Sequence, residues 1–222
     1  VSSSRRTFLV GGGALLVGGA AHAKAARGDD ADDDVPPTED LMREHGVLRR
    51  ILLVYDEAAR RLDAAQALPA GEVAHAATIV REFIEDYHER DEEEFVFPAM
   101  EKAHQLGALV TTLRAQHQAG RTLTAEILRA AAPAPNARVD ARAFAVALRK
   151  FVRMYTPHAA FEDTVLFPAF RTLTGEKQLQ RLQETFEAKE KALPHGGFEK
   201  MVAEVARIEQ AFGIGDLAKF TP

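Results

Sequence analysis

The chain has 222 residues and a mass of 24.3 kDa, with 8 His, no Cys, no Trp, and 28 basic against 33 acidic residues for a net charge of −5. That length accommodates one well-buried domain with appendages rather than two ordinary domains. The lack of Cys excludes disulfides, thiolate metal sites, iron–sulfur clusters, c-type haem attachment and a cysteine nucleophile, and the acidic balance argues against a nucleic-acid surface, so any metal must rest on His and carboxylates.

Ser4-Arg5-Arg6-Thr7-Phe8-Leu9-Val10 opens the chain, and a short, weakly apolar run with five glycines follows from Phe8 to Ala21. Ala21-His22-Ala23 then supplies the small-x-small pattern of a signal-peptidase site. Residues 1–23 are therefore expected to be a cleaved secretory signal. The paired arginines resemble a bacterial twin-arginine signal in particular, which implies a periplasmic protein that folds before export. The run is too short to span a bilayer comfortably, so no stable membrane span is expected after cleavage. Cleavage removes Arg5 and Arg6 and leaves a net charge of −7. Residues 24–37, with Asp29-Asp30-Ala31-Asp32-Asp33-Asp34 and the pair Pro36-Pro37, repel themselves and read as an extended acidic linker.

From Thr38 onward the periodicity is helical. Thr38 followed by Glu39 and Asp40 reads as an N-cap, and Leu41, Leu48, Ile51, Leu52 and Tyr55 form an inward stripe. Leu68-Pro69-Ala70-Gly71 ends this helix. A second helix is predicted from about Glu72 to Ala103, a third from Leu106 to Ala131, and, after the turn Ala132-Pro133-Ala134-Pro135-Asn136, a fourth from Asp140 to Leu173. Long helices with short connections predict an all-α, antiparallel up-down four-helix bundle over residues 38–172. Residues 173–222 add two amphipathic helices, one carrying Leu179, Leu182 and Phe186, the other Phe198, Met201, Val202, Val205, Ile208 and Phe212. Their apolar stripes are expected to pack on the bundle, with a homodimer interface as the alternative.

The chemistry is carried by an internal repeat. Tyr87-His88-Glu89-Arg90-Asp91-Glu92 through Phe97-Pro98-Ala99 aligns with Pro157-His158-Ala159-Ala160-Phe161-Glu162 through Phe167-Pro168-Ala169 at an offset of 70 residues. His45 and His117 match at an offset of 72. On an ideal helix His88 and Glu92 lie about 40° apart on one face, as do His158 and Glu162. His75 and His104 fall on other faces of the second helix, His195 lies in a loop and His22 in the signal. Alone, each of the four selected histidines would read as an ordinary structural residue. Together, four imidazoles and two carboxylates facing a bundle core would each cost several kcal/mol unpaired, and a shared metal centre removes that cost.

Nitrogen and oxygen donors with two carboxylates placed to bridge favour a pair of non-haem iron ions, with manganese a weaker fit and zinc weaker still. The expected arrangement has two His on each iron, Glu92 and Glu162 bridging, an oxo or hydroxo group completing the bridge, and room for a small diatomic or anionic ligand.

The run His45, His88-x-x-x-Glu92-x-x-x-x-x-Pro98, His117, His158-x-x-x-Glu162-x-x-x-x-x-Pro168 resembles the hemerythrin HHE cation-binding domain. The resemblance implies a four-helix bundle with a di-iron centre that binds oxygen, senses or stores iron or oxygen, reacts with peroxide or handles nitric oxide. Oxygen carriers of that family have a second His four residues after the third-helix His, where this chain has Arg121. They also end in an Asp five residues after the last His; Asp163 has that spacing, so Glu162 and Asp163 compete for the bridge, with Glu162 favoured by the repeat. A ferritin-like reading uses two Glu-x-x-His pairs, and only Glu85-x-x-His88 is present, since Tyr155 stands before His158.

Three functions remain open on these residues. The first is an exported protein whose iron pair binds or senses oxygen or nitric oxide. The second is an enzyme acting on peroxide or nitric oxide, with Tyr87 or Tyr155 as donors beside the metal and Glu89 as a further carboxylate near it. The third is iron buffering. An unidentified redox partner would accompany the sensor or enzyme reading. Pro157, immediately before His158, is expected to bend the fourth helix and aim that histidine.

Overall fold

The computed structural model describes residues 35–133, 139–194 and 196–221. The expected signal, most of the acidic linker, residues 134–136 of the Ala132–Asn136 turn and His195 lie outside the described residues. Among the described residues the secondary structure is entirely helical, and no helix is long and apolar enough to cross a membrane.

Helix α1 spans Pro37–Asp63. Its N-cap is Pro36, with no side-chain hydrogen bond, and Pro37 takes the first helical position, where its missing N–H costs nothing. Thr38 is therefore inside the first turn rather than capping it, a correction to the sequence reading. Helix α2 runs without a break over residues 70–102, helix α3 is Gly107–Ala131, and helix α4 covers residues 141–173. Asp140 caps α4 by accepting from the Ala143 N–H at 3.0 Å. Helices α5 (Glu176–Lys191) and α6 (Phe198–Phe212) follow, then a 3-10 turn at Leu217–Phe220.

Helix α1 packs on α2 and α4, and α3 packs on the other sides of both. The buried residues form two apolar layers. One holds Leu48, Ile51, Tyr55, Val73, Phe83, Phe144, Leu148 and Phe151; the other holds Leu41, Phe97, Met100, Leu113, Phe167, Phe170 and Phe186. The histidines selected by the repeat lie between these layers. Helix α6 is tied to α1 by the Arg50 guanidinium, which donates to Glu209 at 2.6 and 2.9 Å, and by Arg61, which donates to the Phe212 carbonyl at 2.7 Å. Helix α5 contributes Leu182 and Phe186 to the second layer, so the C-terminal stripes are spent on the bundle.

The long helices α2 and α4 are not uniformly α-helical. Each contains a π-helical turn at the equivalent place, Glu92–Val96 and Glu162–Leu166, and α2 has another over Val80–His88. The Phe97 N–H bonds the Glu92 carbonyl, and the Phe167 N–H bonds the Glu162 carbonyl. Pro98 and Pro168 explain the position: each lacks an N–H, and its ring would collide with the carbonyl four residues back, which the wider turn relieves. The departure from α geometry in α4 thus falls after His158. Pro157 sits inside the α-helical stretch Ala141–Phe161, and the π turn begins at Glu162, about one helical turn further on.

Candidate metal centre

Each helix delivers its donors to the same level. His45 comes from α1, His88 and Glu92 from α2, His117 from α3, and His158 and Glu162 from α4, and all six are buried. His45 and His88 form one pair, with their Nε2 atoms 3.0 Å apart; His117 and His158 form the other, with ring centroids 5.1 Å apart. Glu162 reaches across both pairs, one oxygen lying 3.3 Å from His45 Nε2 and 3.0 Å from His158 Nε2. Glu92 also adjoins both pairs, with one oxygen 3.8 Å from His88 Nε2 and the other 3.3 Å from His117 Nε2.

The other ring nitrogen of every histidine is anchored, and the anchors follow the repeat. His88 Nδ1 lies 2.6 Å from Glu44 and His158 Nδ1 lies 2.9 Å from Gln116. His45 Nδ1 lies 2.7 Å from Asp163 and His117 Nδ1 lies 2.9 Å from Glu93. Arg49 and Arg121, each four residues after its histidine, clamp Asp163 and Glu93 in turn, Arg121 at 2.9 Å. With a proton on Nδ1 donated outward, each Nε2 keeps its lone pair for the interior. Phe167 stacks on His45 at 5.6 Å and Phe97 on His117 at 5.3 Å, fixing both rings from the apolar layer.

The electrostatics are costly as they stand. Burial and the imidazoles around it push His88 well below the ordinary histidine range. Burial also raises the Glu92 carboxyl well above the carboxylate range, aided by Glu162 beside it. Glu162 is buried too, yet His158 and His45 hold its carboxyl low. Both oxygens of Glu92, both oxygens of Glu162 and His117 Nε2 are buried with no hydrogen-bond partner. Such orphaned acceptors are rare in native interiors.

These orphaned atoms answer the question of fit. The donor atoms of Glu92, His117, His158 and Glu162 lie within 4.8 Å of one another, as do those of His45, His88 and Glu92. The two groups share Glu92, and the lone pairs that lack partners are the ones aimed inward. Nitrogen and oxygen donors in this number suit hard or borderline divalent metals, and a cation among them satisfies every orphan at once.

The remaining sequence candidates take other places. Asp163 lies on the outer edge of His45, not between the pairs. Tyr155 donates to Glu89 at 2.6 Å and meets the His158 ring edge-on at 5.1 Å. Glu89 also forms an ion pair with Arg121 at 2.9 Å and a third donor group with Glu93 and His117, although burial raises its carboxyl well above the usual range. Tyr87 lies beside Glu44, the anchor of His88, and partly offsets the rise that burial imposes on its carboxyl. His75 lies near the surface, 2.5 Å from Arg207, and His104 is exposed, both away from the cluster. Sequence reasoning missed Glu44, Gln116, Glu93, Arg49 and the role of Arg121. Their in-register spacing, 72 residues for Glu44/Gln116 and Arg49/Arg121 and 70 for Glu93/Asp163, was the signal that could have found them.

An all-helical bundle with a buried His/Glu cluster at its middle defines a metal-binding helical protein. The hemerythrin HHE cation-binding domain model matches residues 37–170, and the chain belongs to that family. It is 46% identical over 192 residues to uncharacterized proteins of Mycobacterium bovis and Mycobacterium tuberculosis, a span covering 85% of this chain and 75% of each relative. No solved structure matches the chain.

Proposed function

We propose that this protein is an exported, non-haem di-iron protein that binds or senses a small ligand, oxygen or nitric oxide. The observation that carries the reading is the placement of Glu92 and Glu162, each with two orphaned buried oxygens and each adjoining one histidine of both pairs. In this reading His45 and His88 hold one iron, His117 and His158 hold the other, and the two glutamates bridge them, within an antiparallel up-down bundle. When bound, the iron pair supplies open coordination positions and one-electron redox change.

The chain's own residues then do the rest. The anchors on Nδ1 fix each imidazole's tautomer and direction. The two apolar layers exclude water above and below. Arg121 stands where oxygen carriers have a further histidine and is occupied by Glu89 and Glu93, so both irons receive two histidines in this reading.

Turnover of peroxide or nitric oxide is the second reading, favoured by the Tyr155 hydroxyl, which donates to Glu89 and meets the His158 ring edge-on. Iron buffering would require labile metal. Periplasmic export rests on Arg5-Arg6 and Ala21-His22-Ala23. Anaerobic purification, iron per chain, and optical spectra on adding oxygen, azide, peroxide and nitric oxide separate these readings. Reversible spectral change supports a binding protein and consumption of peroxide or nitric oxide an enzyme. Export is tested by Arg5→Lys with Arg6→Lys, which should retain the protein in the cytoplasm.

A further inference from the structure

The repeat makes the two metal positions nearly equivalent from inside, but the outside of the molecule does not treat them alike. Behind His158, a surface pocket of about 210 Å³ is lined by Leu109, Thr112, Leu113, Gln116, Pro157 and Phe161 and reaches the outer edge of the histidine itself. Gln116 and Leu109 are half-buried there, Pro157 is exposed, and Phe161 is 54% exposed. His158 is also the least buried of the six donors.

The repeat equivalents of the same wall, behind His88, are Pro37, Asp40, Leu41, Glu44, Tyr87 and Asp91, and all of them are buried except Asp40, which is half-buried. Helix α5 is what covers them. Lys189 from α5 is bonded to Asp91 and, at 2.8 Å, to Glu94; Phe186 packs on Phe95 at 5.7 Å and shares an apolar cluster with Leu41. Arg43, beside Glu44, lies over the Phe198 ring of α6 at 4.5 Å. The C-terminal helices therefore close one of two equivalent openings and leave the other open.

Resting on the di-iron reading above, we propose that a small, neutral, weakly polar ligand, of the size of a diatomic gas, reaches the centre through the Leu109–Phe161 pocket and binds at the His117/His158 position. The wall specifies the class of ligand. Apart from His158 it carries no ionisable side chain, so an anion or a hydrated metal ion would lose its solvation without a partner, whereas a neutral diatomic loses almost nothing. At the closed position the carboxylate Glu44 and the Lys189–Asp91 pair fill the equivalent path.

Two probes test this on the full chain. Xenon applied under pressure to the metal-free protein should shift the methyl resonances of Leu109 and Leu113, and the Leu113 shift should vanish in Leu109→Trp. In the iron-loaded protein, the association rate of nitric oxide should fall about tenfold in Leu109→Trp and in Thr112→Trp, with iron per chain unchanged. Thr112 is exposed on α3, so its variant fills the opening without touching the core. Lys189→Ala, on the closed side, should leave the rate within twofold. Unchanged rates in both tryptophan variants, or a rate that responds to Lys189→Ala instead, would overturn the proposal, as would absence of the xenon shifts. Failure to hold iron would defeat the di-iron reading alone, and xenon shifts at Leu109 and Leu113 would then still support the pocket as a site for small neutral molecules.

Discussion

Asp163 holds the outer nitrogen of His45 at 2.7 Å, while the residue before it, Glu162, faces the inner nitrogens of His45 and His158. Adjacent carboxylates on one helix thus serve the two edges of a single imidazole. Glu93 and Glu92 repeat the arrangement around His117. Removing an outer carboxylate leaves the inner donors in place but frees the ring. Asp163→Asn and Glu93→Gln should each weaken iron affinity about 10–100-fold while leaving helicity unchanged. Chelator competition with circular dichroism on the same samples checks this, and affinities within twofold of wild type would remove the orienting role.

This arrangement also marks how far the sequence was legible. The stripe Leu41, Leu48, Ile51, Leu52, Tyr55 is buried as its helical period requires, and the repeat alone picked out the six residues that converge. Glu162 and Asp163 were competing alternatives because the internal repeat pointed to the first and the spacing in oxygen carriers to the second. The π turn beginning at Glu162 rotates less per residue, so Asp163 remains close enough to the site to engage His45. Nothing in apolar periodicity announces that turn; Pro98 and Pro168 do, once their effect on the preceding carbonyl is considered. Arg121 was legible only as a missing histidine, since its partners Glu89 and Glu93 come from another helix.

Among the described residues, Arg121 is the one arginine or lysine paired with Glu89. Arg121→Leu leaves Glu89 buried against Tyr155 without its charge partner and should cost about 2 kcal/mol, reduced from the fully buried case because the guanidinium is partly exposed. Glu89→Gln in the same background should recover part of that loss. Urea unfolding of the two variants and the double variant gives the comparison, and a single-variant loss below about 0.5 kcal/mol would contradict it.

Gly120 has no space for a side chain. A Cβ there would stand 1.9 Å from the Tyr155 hydroxyl oxygen and 2.8 Å from the ring carbon bearing it. Tyr155 is pinned by its bond to Glu89, so Gly120→Ala should destabilise the fold by about 1–3 kcal/mol through overpacking. Adding Tyr155→Phe removes the nearest atom and should restore only part of the loss, because the ring carbons remain close. Thermal unfolding of the single and double variants measures both effects.

Metal removal should be visible as stability, because the orphaned oxygens of Glu92 and Glu162 regain a partner only in the loaded protein. With free iron at about 100 times its dissociation constant, linkage contributes about 2.7 kcal/mol, or roughly 5–10 °C in Tm for a domain of this size. Calorimetry before and after chelation checks the shift. An identical Tm in both states would mean that iron does not bind the folded protein at this site.

In the proposed function the two histidine pairs and two glutamates form one paired metal centre. The most direct measurement is iron bound per chain in the wild type and in His88→Ala combined with His158→Ala, one substitution in each pair. Two tightly bound irons are expected in the wild type, and both should be lost in the double variant. Fewer than one tightly bound iron in the wild type, or the same content in the double variant, would contradict a paired centre.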